Sequence, residues 1–310
     1  MTSYVESLPV ADALADVLLD LAVPHEDIGA LLALRRRMTA DPELRDLLEA
    51  AVGALIADMG EAGGRPPAPR QPPGSEAVAR YFPVFALVAA LPAVRAYHRG
   101  LGVSEEISRR TLADLGRQLA VHRRRHGTGG LATPGWLALH FRGEIYQLGR
   151  LQFQRGRLDD RMGAAVREAG LPYGPGDRCL DVHIPDFLGP LTPETCDRSF
   201  ALAGAFFARH FPDETYGVAV CESWLLDPQL AGYLSADSNI VRFQRRFTSG
   251  YELTENYDRG PLEFVFGDPA LPVETLPRRT TLERAVGDHL RAGLHWYGGH
   301  GWLEIQPATP

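Results

Sequence analysis

Apolar residues recur every three or four positions through the first part of the chain and every second position through much of the remainder. Leu14, Val17, Leu18 and Leu21 form one helical stripe, and Leu44, Leu47, Leu48, Ala51, Val52, Leu55, Ile56 and Met59 form a longer one. Asp41 and Pro42 stand where a helix cap and first turn belong, and Gly60 follows the last apolar position. Ile107, Leu112, Leu115 and Leu119 carry a further helix that ends in Arg123–Arg124–Arg125–His126. Positive charge at a helix C-terminus is favourable on dipole grounds alone, so this patch calls for no ligand. Between Gly60 and Ser75 the chain turns to Gly, Pro and Arg and reads as an exposed, semi-stiff linker.

From about Gly130 the period moves towards two. Glu144–Arg155 alternates, with Ile145, Leu151 and Phe153 on one side and Arg150, Gln152 and Gln154 on the other. Cys179–Ile184 alternates as well, and Tyr216–Leu225, Asn239–Phe247, Leu262–Phe266 and Trp302–Ile305 are further strand candidates. Helical stretches are expected at Thr192–Phe211, Asp227–Leu234 and Thr280–Leu294, the last opening with Thr280 and Glu283 in capping-box spacing. Strands and helices in this order predict an α/β or α+β half built on a mixed sheet, behind an all-helical N-terminal half. The expected division is 1–130 and 131–310.

Composition narrows the chemistry. The chain has 310 residues and a net charge of −7, and all 32 of its basic residues are Arg. The acidic balance argues against a nucleic-acid binder. Without lysine the chain forms no Schiff base with pyridoxal phosphate and completes no lysine-bearing phosphate loop. Three cysteines, Cys179, Cys196 and Cys221, suggest neither a disulfide framework nor a zinc site. The longest apolar run, Phe82–Val94, is interrupted by two prolines and is shorter than the roughly 20 residues of a membrane span. The N-terminus has no basic leader. The expectation is a soluble, cytoplasmic protein with no membrane partner.

Three segments carry candidate chemistry. His183–Glu194 joins a strand end, a Pro/Gly-rich turn and a helix start, with Thr192 as cap and Pro193 at the first helical position. Such a helix start offers unpaired N–H groups to an anion, and Gly189, Leu191 and Thr192 are its candidate binding positions. His183 stands where open α/β sheets place ligands. In the second segment, Cys221 lies between polar residues on a strand expected beside that of His183, and a thiol near an imidazole is activated as nucleophile or acid. In the third, Asn239 is placed to orient one of the pair. Trp224, Glu222, Arg150 and Gln152 are the candidate substrate-lining positions. His295 and His300 read as residues of a Gly-rich loop with Gly298, Gly299 and Gly301, their spacing matches no zinc pattern, and no metal is expected.

The segments LGRLQF (Leu148–Phe153), HIPDFLGPLTPE (His183–Glu194), CESWLLDPQL (Cys221–Leu230) and DSNIVRF (Asp237–Phe243) resemble a bacterial family of two-domain N-acyltransferases. In that family a helical N-terminal domain precedes a GNAT-like one. The resemblance implies that pantetheine lies along a splayed central strand and that pyrophosphate sits at the start of the Thr192 helix. It implies acyl-CoA or acetyl-CoA as co-substrate, with no tightly bound cofactor, and a small-molecule amine as acceptor. The turn at Asp186–Thr192 departs from the usual GNAT loop, having Gly189 as its one glycine. The leading expectation is acyl transfer from a thioester to an amine, with His183 as base and Cys221 as acid or transient acyl carrier. A non-catalytic acyl-thioester sensor and a Cys/His thioester hydrolase are the alternatives.

Overall fold

The computed structural model describes residues 3–63, 72–251 and 253–305. Most of the expected Pro/Gly-rich linker, residues 64–71, lies outside the described residues. The chain divides into two compact units, Met1–Gln147 and Leu148–Pro310.

The first unit is helical: α1 (Ala11–Asp20), α2 (His25–Ala40), α3 (Pro42–Ala57), α4 (Glu76–Gly100), α5 (Glu105–Leu112), α6 (Asp114–His126) and α7 (Pro134–Phe141). Asp41 caps α3 as its position suggests, its carboxylate accepting from the Glu43 and Leu44 amides. The single helix expected over Ile107–Arg125 is two, broken at Ala113. The Phe82–Val94 run lies inside α4, which holds Pro83 and Pro92 and buries most of its apolar residues. By length and composition α4 is long enough to cross a membrane, but 67% of its most apolar window is buried inside the protein. Phe82, Phe85, Val88 and Leu91 of α4 pack with Leu14, Leu18, Leu48 and Val52 in one apolar core, so α4 is the unit's central helix.

The sheet has the strand order β1-β2-β3-β4-β6-β5. Its strands are β1 (Ile145–Leu148), β2 (Leu151–Arg157), β3 (Arg178–His183), β4 (Val218–Ser223), β5 (Thr248–Tyr251) and β6 (Gly299–Glu304). The alternating run Glu144–Arg155 is thus two strands, not one. The turn between them needs the positive φ of Gly149 (+72°), which a Cβ would also jam against the Ser199 hydroxyl. Between β2 and β3 lies α8 (Asp160–Glu168), and after β3 comes α9 (Pro193–His210).

The segment after β4 corrects three expectations. Asn239–Phe247 is not a strand. Its first six residues form α10 (Asn239–Gln244), because the Ser238 hydroxyl accepts from the Val241 amide and starts a helix that buries Val241 and Phe243. Leu262–Phe266 is a π-helical turn continuing the single turn α11 (Arg259–Pro261), and it buries Leu262 against Val286 and Trp296. The stretch expected to be a short helix at Asp227–Leu234 is a 3₁₀ turn, Pro228–Gly232, capped by Asp227. The last helix, α12 (Thr281–Arg291), carries the full capping box between Thr280 and Glu283.

Candidate active site

β3 and β4 run parallel, with Leu180 opposite Ala219 and Asp181 opposite Val220. Their pairing stops there, although β3 continues to His183 and β4 to Ser223. The outer neighbours remain paired to the ends: Gln152 of β2 faces His183, and Gly299 of β6 faces Ser223. The two central strands therefore part at their C-terminal ends, beside the loop that leads into α9.

Aligned residues of neighbouring strands project to one side of a sheet, and successive residues to opposite sides. His183 consequently shares a face with Asp181, Cys179, Gln154, Glu222 and His300. Cys221 lies on the other face, with Leu180, Val182, Ala219 and Phe153. This separates the expected Cys–His pair. Each strand was read with the right alternation, but the parallel register that relates them is a long-range property. Cys221 is 2% exposed, and burial pushes its thiol further above the ordinary range. A buried, protonated thiol facing away from the imidazole is a packing group.

His183 is half-buried, and its Nε2–H donates to Gln154 Oε1 at 3.0 Å. Asp181 lies two residues back on the same face. The Cys179 thiol donates to its Oδ1, and its Oδ2 occupies the space over Gly156 that a Cβ would fill. Burial raises its carboxyl to about 7 from an ordinary 3.8. Gln152, opposite His183, is fully buried.

The loop after β3 is held from below. Arg150 donates from Nε to the Gly189 carbonyl (2.8 Å) and from Nη1 to the Pro185 carbonyl (3.0 Å), while its amide donates to Ser199 Oγ of α9. Gly189 takes φ +78°, Leu191 is buried, and Thr192 caps α9 by accepting from the Thr195 amide. Arg150 thus shapes the turn rather than standing ready for a substrate. Arg246 braces the same helix start, reaching the Pro193 carbonyl and Asp197. The α9 N-terminus keeps the anion-favouring geometry read from its cap.

Two other expected site residues are placed elsewhere. Asn239 opens α10 and is not on the sheet. Trp224 begins a 3₁₀ turn and is 7% exposed, packed in a core with Leu230, Val286 and Trp296. It fills that core instead of walling a pocket. Glu222 is exposed on the His183 face, and across the strand pair it meets His300, with Oε1 3.5 Å from Nε2. His300 was read as a loop residue among glycines. It is a strand residue of β6, and the glycines serve packing: a Cβ on Gly299 would strike Leu226, and one on Gly301 would strike Phe247. Among the described residues no cluster of three or more His, Cys, Asp or Glu is placed to hold a metal ion.

Residues 145–303 match the family of GNAT-like C-terminal domains, and residues 12–143 match that of N-acyltransferase N-terminal domains. The chain belongs to this two-domain N-acyltransferase family. No curated protein matches it. Among solved structures, an acyltransferase in complex with decanoyl-CoA and teicoplanin superposes with a TM-score of 0.87 at 38% identity, covering 96% of this chain and 90% of that one. An acyltransferase in complex with decanoyl-CoA gives 0.87 at 39% identity, over 96% and 89% of the two chains. A third, in complex with CoA and 10C-teicoplanin, gives 0.85 at 38% identity, over 94% and 87%. This N-acyltransferase moves an acyl group from a CoA thioester, which acts as a substrate and not as a resident cofactor.

Proposed function

We propose that this N-acyltransferase joins a medium-chain acyl group to a primary amine on a glycopeptide-like acceptor, by direct transfer with His183 as the base. The observation that carries this reading is the position of His183. It ends β3 where the central strands part, within one short loop of the capped start of α9. The pantetheine arm lies in the gap and the pyrophosphate at the helix start, which brings the thioester to the mouth beside the imidazole. The chemistry then needs few protein groups. The acceptor nitrogen attacks the thioester carbon, the His183 imidazole takes the proton released, the new C–N bond forms and the C–S bond breaks. The leaving thiolate is reprotonated from solvent or from the imidazolium.

The donor and acceptor classes rest on the related acyltransferases that hold decanoyl-CoA and teicoplanin at 38% identity. An acyl-CoA donor also favours a cytoplasmic setting. Against the covalent route stands the place of Cys221, buried on the opposite face. Intact mass spectrometry after incubation with decanoyl-CoA alone is expected to show no acyl adduct on the protein. With teicoplanin added, the acylated acceptor is expected to appear, and Cys221→Ser is expected to keep turnover within about threefold. A stable adduct lost in Cys221→Ser overturns the direct route. Release of free CoA at a rate the acceptor does not raise overturns the transferase reading in favour of hydrolysis.

A further inference from the structure

Glu222 of β4 and His300 of β6 lie one and two strands from His183 on the same face of the sheet, and the mechanism above uses neither. Their environments differ sharply. The Glu222 side chain is 78% exposed, whereas that of His300 is 10% exposed. The His300 ring is pinned by Tyr251, ring centroids 4.4 Å apart, and Tyr251 in turn lies under the Arg161 guanidinium at 3.9 Å. The β6 backbone on either side packs closely, with Gly299 and Gly301 leaving no room for a Cβ against Leu226 and Phe247. A rigidly held imidazole is thereby aimed at the Glu222 carboxylate. Yet its Nε2 is buried with no hydrogen-bond partner, since the 3.5 Å approach of Glu222 Oε1 is too long and poorly directed to satisfy it.

An unsatisfied polar atom in a fixed side chain is unfavourable and calls for a reason. A cationic guest supplies one. A primary ammonium has several N–H donors to give, and this corner offers a carboxylate one strand from the base and an imidazole lone pair two strands from it. We infer that Glu222 and His300 together form the docking point for the acceptor's ammonium group, holding it on the His183 face before it loses its proton. Burial favours the neutral form of His300, which keeps that lone pair available. The carboxylate supplies the charge attraction and the buried imidazole fixes direction. The pair thus selects for a protonated amine over an alcohol of the same shape.

This inference rests on the reading of His183 as the base on that face, and the experiment separates the two. Steady-state kinetics with teicoplanin varied at saturating decanoyl-CoA are measured for wild type, Glu222→Gln, His300→Leu, His300→Gln and His183→Ala. Decanoyl-CoA affinity is measured alongside by calorimetry. Glu222→Gln and His300→Leu are expected to raise the acceptor KM about tenfold, with decanoyl-CoA affinity within twofold of wild type. His300→Gln, whose amide oxygen restores an acceptor, is expected to recover part of that loss, which a purely structural role for the ring would not allow. An unchanged acceptor KM in Glu222→Gln and His300→Leu, with His183→Ala inactive, overturns the docking point and leaves the base in place. Full turnover by His183→Ala overturns the reading of the base instead. Parallel loss of decanoyl-CoA affinity in the His300 variants overturns the inference in favour of a packing role.

Discussion

The two faces of the sheet are made from the same strands and lead opposite lives. On one, Phe153, Leu180, Val182, Ala219 and Cys221 project towards α9, and Phe153 meets Phe200 edge-on at 5.5 Å. On the other, Met162 and Val166 of α8 pack on Cys179 and Trp302 at one end, and the other end carries Gln154, Asp181, His183, Glu222 and His300. Each residue step along a strand crosses from one regime to the other. The lesson is that a nucleophile-like and a base-like residue on adjacent strands are partners only if their positions differ by an even number along the register. Cys221 and His183 differ by an odd one.

Substitutions that damage one face and spare the other test this division. The largest effect is expected from His183→Ala: kcat should fall about 100- to 10,000-fold, the range for loss of a general base, with the thermal midpoint nearly unchanged. A stopped assay with decanoyl-CoA and teicoplanin reads the first quantity and scanning calorimetry the second. Phe153→Ala should show the reverse. Phe153 is fully buried, and its removal is expected to cost about 3–5 kcal/mol in denaturant unfolding while kcat per folded molecule stays near wild type. Loss of activity in the folded fraction of that variant would blur the two faces.

The smallest effect is a pH dependence. Burial raises the Asp181 carboxyl to about 7 in the folded protein, from an ordinary 3.8. Between those values the folded state binds a proton that the unfolded chain has released. Its contribution to stability therefore falls as pH rises from about 4 to about 7, and is flat above. Asp181→Asn removes that penalty, so the variant's gain in melting temperature over wild type should be larger at pH 8 than at pH 5. An equal difference at both pH values would show that the carboxyl titrates normally.

Local features of this chain were legible in its sequence. The helix caps at Asp41, Thr192 and Thr280 are satisfied within a few residues, and β3, β4 and α9 follow from period and punctuation. The family resemblance rested on the same segments and holds for the whole chain. Features that depend on distant partners were not legible. Arg242, Gln244 and Arg246 alternate like a strand face, but the Ser238 cap and the burial of Phe243 settle that segment as α10. His300 looked like a loop residue because its glycine neighbours resemble a turn. Only the packing of Leu226 and Phe247 reveals why small residues stand there. Arg150 reads from the sequence as a substrate-lining position, but its carbonyl partners lie 35 and 39 residues away.

The fork between β3 and β4 bears on how such an enzyme can change over time. In the proposed reading the donor's arm in this fork is held by main-chain amides and carbonyls, groups that every residue possesses, so substitution along the fork leaves that grip largely intact. Side chains at the rim, by contrast, can be exchanged freely to suit a new nucleophile or a longer tail. Conserved handling of one half of the reaction thus comes from architecture, and diversity in the other half is left to single codons.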